Sequence, residues 1–207
     1  MKKAFILFLI LFISGCAVGN KYNYRASSIA LPVKAIDEQT LVFSVNDLRP
    51  YVLSGENDPS FVGVQRGGFG NPFNVTTATG QAMTADMSAA ITEALTDAGY
   101  RVVAVEDKTD KSSLVAIATD KSADRIIVLE VHDWKSDIYT GIKLHCDLRL
   151  DVLDASGALL AENSMRFEEE IAGAQLTGSK NSEILADEFA KRIGYLFNKE
   201  EIRKALR

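Results

Sequence analysis

Two periods organise the chain from Thr40 onward. Thr40 to Val45 is a short apolar run of strand-forming residues. It ends at Asn46-Asp47-Leu48-Arg49-Pro50, where the proline removes a ladder donor and the Asn-Asp pair favours a turn. Met83, Met87, Ile91, Ala94, Leu95 and Ala98 recur at helical spacing, and Gly99 stands where a helix is stopped. A strand is predicted over Tyr100 to Val105 and a short helix over Ser112 to Thr119, with Leu114, Val115 and Ala118 inward. Another strand runs from Arg125 to Trp134. Ile142, Leu144, Cys146, Leu148, Leu150 and Val152 then alternate strictly with Lys143, His145, Asp147, Arg149 and Asp151, the mark of a strand with one dry face. Asp154-Ala155-Ser156-Gly157 turns the chain back into a strand carrying Leu159, Ala161, Met165, Phe167 and Ile171 on one side. Ile184, Leu185, Phe189, Ile193, Leu196 and Phe197 mark a final amphipathic helix, followed by a basic tail to Arg207.

This order predicts an α/β (α+β) fold: a single two-layer sandwich, with helices packed on one face of a mixed sheet. Crossovers in the first half suit parallel pairing, and the second half is an antiparallel meander ending in the last helix. A length of 207 residues fits one such domain, expected over residues 40–207. Residues 50–80 read as a glycine-rich loop, within which Phe61 to Arg66 and Phe73 to Thr77 could pair as a hairpin. Residues 16–39 show no sustained period and read as a tether, with Ile29 to Val33 as a possible edge segment.

The start of the chain has another character. Met1-Lys2-Lys3 precedes an apolar run from Ala4 to Ile13, then Ser14-Gly15-Cys16. A basic start, a short apolar run and small residues form a secretory signal over residues 1–15. The run is too short for a membrane span, which takes about 20 apolar residues. Ile13-Ser14-Gly15-Cys16 resembles a bacterial lipobox. The resemblance implies that Cys16 receives a diacylglycerol, that the chain is cut before it, and that the new amino group is acylated. Two or three acyl chains hold a protein at a bilayer where one is marginal. Ala17, in place of aspartate after the cysteine, implies sorting to the outer membrane in a host with two membranes, with the body facing the periplasm.

Charge and cysteine usage narrow the function. A net charge of −5 argues against nucleic-acid binding, which wants a basic face. Two cysteines make no disulfide framework, and once Cys16 carries lipid only Cys146 remains, on the dry side of its strand. The adjacent His145 points to the opposite face, so the two cannot form a thiolate–imidazole pair. Two histidines and a buried thiol do not suggest a zinc site, and no cofactor is expected. Glu168-Glu169-Glu170 reads as a charged strand face in preference to a glycosidase pair. Gly178-Ser179-Lys180 lacks the pattern of a phosphate-binding loop and reads as the start of the last helix.

The glycine-rich segment is the remaining candidate. It mixes flexible backbone, rings and a guanidinium between a strand end and a helix start, where open α/β sheets often bind ligands. Its glycines could equally serve only the turns of a surface hairpin. If something binds there, the candidates are Asp47, Arg49, Gln65, Arg66, Phe69 and Phe73, with Arg66 as charge partner and Phe69 as exposed anchor.

With the lipobox, Asp47-Leu48-Arg49-Pro50, the helix ending Ala98-Gly99-Tyr100 and the strand led by Ala123-Asp124-Arg125, the chain resembles the YajG-type family of bacterial lipoproteins. The resemblance carries over no catalytic residue. It implies a non-enzymatic, lipid-anchored envelope protein that serves as accessory or binding module for another envelope component. A periplasmic binder or sensor of a small ligand, such as a lipid or muropeptide, is the alternative.

Overall fold

A computed structural model describes residues 20–107, 109–175 and 177–207. Cys16 and the signal segment therefore lie outside the described residues. Eight strands form one sheet: β1 (Lys21–Tyr22), β2 (Thr40–Asp47), β3 (Phe61–Arg66), β4 (Pro72–Thr77), β5 (Arg101–Val105), β6 (Arg125–Ile138), β7 (Gly141–Asp154) and β8 (Leu159–Gly173). The helices are α1 (Pro50–Leu53), α2 (Met83–Asp97), α3 (Lys111–Asp120), α4 (Gly178–Phe197) and α5 (Glu200–Ala205).

The 14-residue β6 organises the sheet. Along one edge its first half pairs in parallel with β2, Leu41 opposite Arg125 through Asp47 opposite Val131, and its end pairs in parallel with β3, Gln65 opposite Ile138. Along the other edge it runs antiparallel to β7, which carries β8 in turn. β5 borders β2 in parallel, and the β3–β4 hairpin carries β1 at its far side. The predicted mixed sheet, parallel crossovers, hairpin and C-terminal meander are all present.

The larger core lies on one face of the sheet. Leu41, Phe43, Ile127 and Leu129 meet Met83, Met87, Ile91 and Leu95 of α2 and Leu185, Phe189, Ile193 and Phe197 of α4. Because β2 is covered on both faces, it reads as a continuous apolar run without alternation. Its other face, Val42 with Ile126, Val128 and Leu153, packs on Leu114 and Ala118 of α3. Helices therefore flank both faces of this end of the sheet, whereas periodicity alone placed them on one. Two inward residues per turn say that a helix is packed, but not against which side.

Residues 20–39 are no free tether. Tyr22 and Tyr24 are fully buried, and β1 pairs with β4. The Tyr24 ring lies edge-on to Trp134 and Phe189 at centroid distances of 6.1 and 5.5 Å, favourable aromatic geometry. The edge element is Lys21–Tyr22, and Ile29 to Val33 forms no strand. Isolated buried residues on an irregular path leave no period to read. Similarly, the long loop of 50–80 is one helical turn and a sheet hairpin joined by short turns. Gly63 explains the close fit: at φ +145, an added Cβ would stand 2.3 Å from the Ser136 carbonyl oxygen of β6. The basic tail forms α5, which buries Ile202, while Leu206 just beyond it is also buried.

Candidate functional site

Two of the six residues expected to bind are part of the framework. Asp47 and Arg49 are 1% and 0% exposed. The Arg49 Nε and Nη2 groups donate to the two Asp47 carboxylate oxygens at 2.8 and 2.7 Å. Nη1 and Nη2 also donate to the carbonyls of Phe61 and Pro59 at 2.6 and 3.1 Å. This bidentate, fully hydrogen-bonded pair fastens the end of β2 to the start of β3. Neither residue is available to a partner. Sequence could show that the charges were close, but not that the chain would fold over them.

The other four cluster at the β3–β4 hairpin. Gln65 accepts a bond from the Asn20 amide, which ties the N-terminal segment to β3. Arg66 Nε donates to Asp137 Oδ1 at 2.8 Å, and Nη1 reaches the Gly70 carbonyl at 3.4 Å. That carboxylate holds the Arg66 guanidinium above its usual pKa, and Asp137 is correspondingly lowered by Arg66. The turn closes through Gly70 N–H to the Gly67 carbonyl at 2.8 Å, with Gly70 at φ +83. The half-buried Phe73 stacks beside Gly67, and Phe69 projects from the tip at 99% exposure. Tyr139, in the β6–β7 turn at this same end, is 52% exposed. Sequence reasoning missed it, though an aromatic next to a Thr-Gly turn between two strands was a readable signal.

The outer face of β6, β7 and β8 is a ladder of charge pairs. Lys143 Nζ donates to Glu168 at 2.9 Å, which lowers the Glu168 pKa, and His145 Nδ1 lies 3.3 Å from the same carboxylate. Arg149 contacts Asp151 and Glu162 at 2.9 and 2.7 Å, and His132 Nε2 sits 3.1 Å from Glu130. Glu169 faces the other way and pairs with Arg192 of α4. Cys146 is 2% exposed, and burial pushes its thiol up to about 12, far from a thiolate nucleophile at neutral pH.

At the opposite end of the molecule, a cleft of about 620 Å³ is lined by Leu31, Pro32, Ile36, Tyr100 and three cationic residues, Lys34, Arg203 and Arg207. Ile36 is 67% exposed there. None of these residues was a binding candidate in the sequence, because the cleft joins segments more than sixty residues apart. A second apolar feature lies on β8, which among the described residues pairs with β7 alone: Leu159 and Leu160 are 50% and 46% exposed. No helix among the described residues is long and apolar enough to cross a membrane.

No protein-family model matches the chain, and no curated protein does. Solved structures do. Protein XCC0632 from Xanthomonas campestris, of the DUF330 family, is 13% identical with a TM-score of 0.54, over 85% of this chain and 92% of that one. A point variant of the PelC dodecamer from Paraburkholderia phytofirmans is 12% identical at a TM-score of 0.44, over 81% and 93%. Lipoprotein GNA1162 from Neisseria meningitidis is 12% identical at 0.43, over 77% and 99%. The likeness to XCC0632 establishes a shared fold; the other two are too distant to carry an argument.

Proposed function

We propose that this chain is a lipid-anchored lipoprotein of the bacterial outer membrane, its body in the periplasm, acting without catalysis as an accessory or binding module for another envelope component. The observation that carries this reading is the order Lys2-Lys3, apolar run, Ile13-Ser14-Gly15-Cys16, followed within a few residues by a folded body. The YajG-type likeness belongs to the same proposal and is supported by its Asp47-Leu48-Arg49-Pro50 motif, whose charged pair has a definite job as the brace between β2 and β3. The non-catalytic part is supported by the protonated, buried Cys146, which stands on the opposite face of its strand from His145. The partner surface in this reading is β8, whose adjacent exposed leucines stand on a strand with one edge unpaired by any strand among the described residues.

Acylation is tested by mass spectrometry of the native protein and of Cys16→Ala. An acylated chain beginning at Cys16, shifted to the soluble fraction by the substitution, is the expected result. A chain beginning at Met1 with no acyl mass overturns the reading. The partner role is tested by in-cell photocrosslinking from position 160, where a reproducible protein adduct is expected and its absence refutes the β8 assignment.

A second reading, a binder of a small acidic ligand such as a lipid or muropeptide, is favoured by one feature: the cleft that sets Lys34, Arg203 and Arg207 around Leu31, Ile36 and Tyr100. Native mass spectrometry that finds a co-purifying small molecule, lost in Arg203→Glu, supports it over the first.

A further inference from the structure

The place where the chain enters the body restricts how that body can sit on a membrane. β1 pairs with β4 in parallel, Lys21 opposite Thr76 and Tyr22 opposite Thr77. Followed backward from Lys21, the chain thus heads toward the start of β4 at Pro72, and so toward the turn that carries Phe69. Asn20 confirms the direction by donating to Gln65, which stands opposite Phe73 in the hairpin. Gly178 at the start of α4 also abuts Asn20. Asn20 lies only four positions after Cys16, and at about 3.3–3.6 Å per residue even a fully extended chain spans only about 14 Å between them. An acylated Cys16 therefore cannot let the body stand far off the bilayer.

The same pole carries Phe69, the most exposed aromatic side chain among the described residues, together with Tyr139. Gln65 lies opposite Ile138, so the Gly67–Asn71 turn and the Tyr139–Thr140 turn are neighbours. Phe69 is 99% exposed and Tyr139 52%. The hairpin tip is held in place, because Arg66 bridges Asp137 of β6 to the Gly70 carbonyl. A fixed, fully exposed phenylalanine has no partner among the described residues, whereas aromatic rings at the headgroup level are a recurrent feature of membrane-seated proteins. The exposed Lys21 adds a cation at this pole, but Glu170 lies against Gly141 there too, so the aromatic tips, and not net charge, define the surface.

We propose that this pole, made of the Gly67–Asn71 turn, the Tyr139–Thr140 turn and Asn20, lies on the bilayer, with Phe69 and Tyr139 seated among the lipid headgroups. The proposal rests on acylation of Cys16 and adds an orientation to it. The β7–β8 turn and the Lys34–Arg203–Arg207 cleft then point away from the membrane, the turn at the far end of a 14-residue strand, roughly 40 Å distant.

The test uses the acylated full chain, reconstituted into vesicles of phosphatidylethanolamine and phosphatidylglycerol that contain a nitroxide-labelled lipid. An environment-sensitive fluorophore is placed by Phe69→Cys, Tyr139→Cys or, as distal control, Ser156→Cys. Cys146 is buried and takes no label in the folded protein, and all three labelled positions are exposed, so folding is preserved. Blue-shifted emission and loss of signal to the nitroxide at 69 and 139, with neither at 156, is the expected result. If the acylated chain floats with the vesicles but position 69 behaves like 156, the orientation is overturned and the anchor stands. A chain that carries no acyl mass and does not float overturns both.

Discussion

The Asp47–Arg49 pair offers a sharp energetic test of the fold around the hairpin. Both side chains are essentially inaccessible to water, and every distance from the guanidinium to Asp47, Phe61 and Pro59 is within hydrogen-bond range. Arg49→Met keeps the bulk but strands the Asp47 carboxylate in the interior. Breaking a buried pair by removing one partner costs about 3–5 kcal/mol. The Phe61 carbonyl, left without its 2.6 Å donor, adds about 1–3 kcal/mol if it stays buried. That is a large part of a typical total stability of about 5–15 kcal/mol. With a urea dependence of about 2 kcal/mol per molar, a loss of about 4 kcal/mol lowers the unfolding midpoint by about 2 M. Trp134, the single tryptophan and fully buried, reports the transition by fluorescence. Asp47→Leu alone strands the opposite charge and is expected to cost a similar amount. The double variant removes both charges, so its loss should fall well short of the sum of the two single losses. Single-variant midpoints within about 0.5 M of the parent, or a double variant that loses the full sum, would refute the reasoning.

Two further outcomes follow from the same structure. Gly63→Ala combines a backbone angle that L residues rarely adopt with a Cβ 2.3 Å from a backbone oxygen, so thermal unfolding should show a loss of roughly 2–6 kcal/mol; a change under about 1 kcal/mol would mean that β3 does not press on β6. Asp86 is buried at the start of α2, and desolvation by burial raises its pKa despite the Thr79 hydroxyl and Arg25 nearby. A carboxyl whose folded pKa is raised contributes stability that is fully present below its unfolded value near 3.8 and lost as pH rises through the folded value. Asp86→Asn should therefore melt higher than the parent at pH 7 and lose that advantage as pH falls below 4; an advantage independent of pH would contradict the burial argument.

The amino-acid sequence by itself determined the signal-like start, the order of the main strands and helices from Thr40 onward, and the strict alternation that buries Cys146 and turns His145 to the opposite face. These are local properties: a period of two or of 3.6 is written in neighbouring residues, and the physics that reads it needs no knowledge of the rest of the chain. Tertiary structure decided the remainder. It put α3 on the second face of the sheet, packed Tyr24 against Trp134 and Phe189, and turned Asp47 and Arg49 from candidate ligands into an internal brace. It also brought Phe69 and Tyr139 to one pole with Asn20, and Lys34 to one cleft with Arg203 and Arg207. Burial, and the pairing of charges that burial demands, depend on which distant segments meet, and that is settled only when the sheet closes around β6.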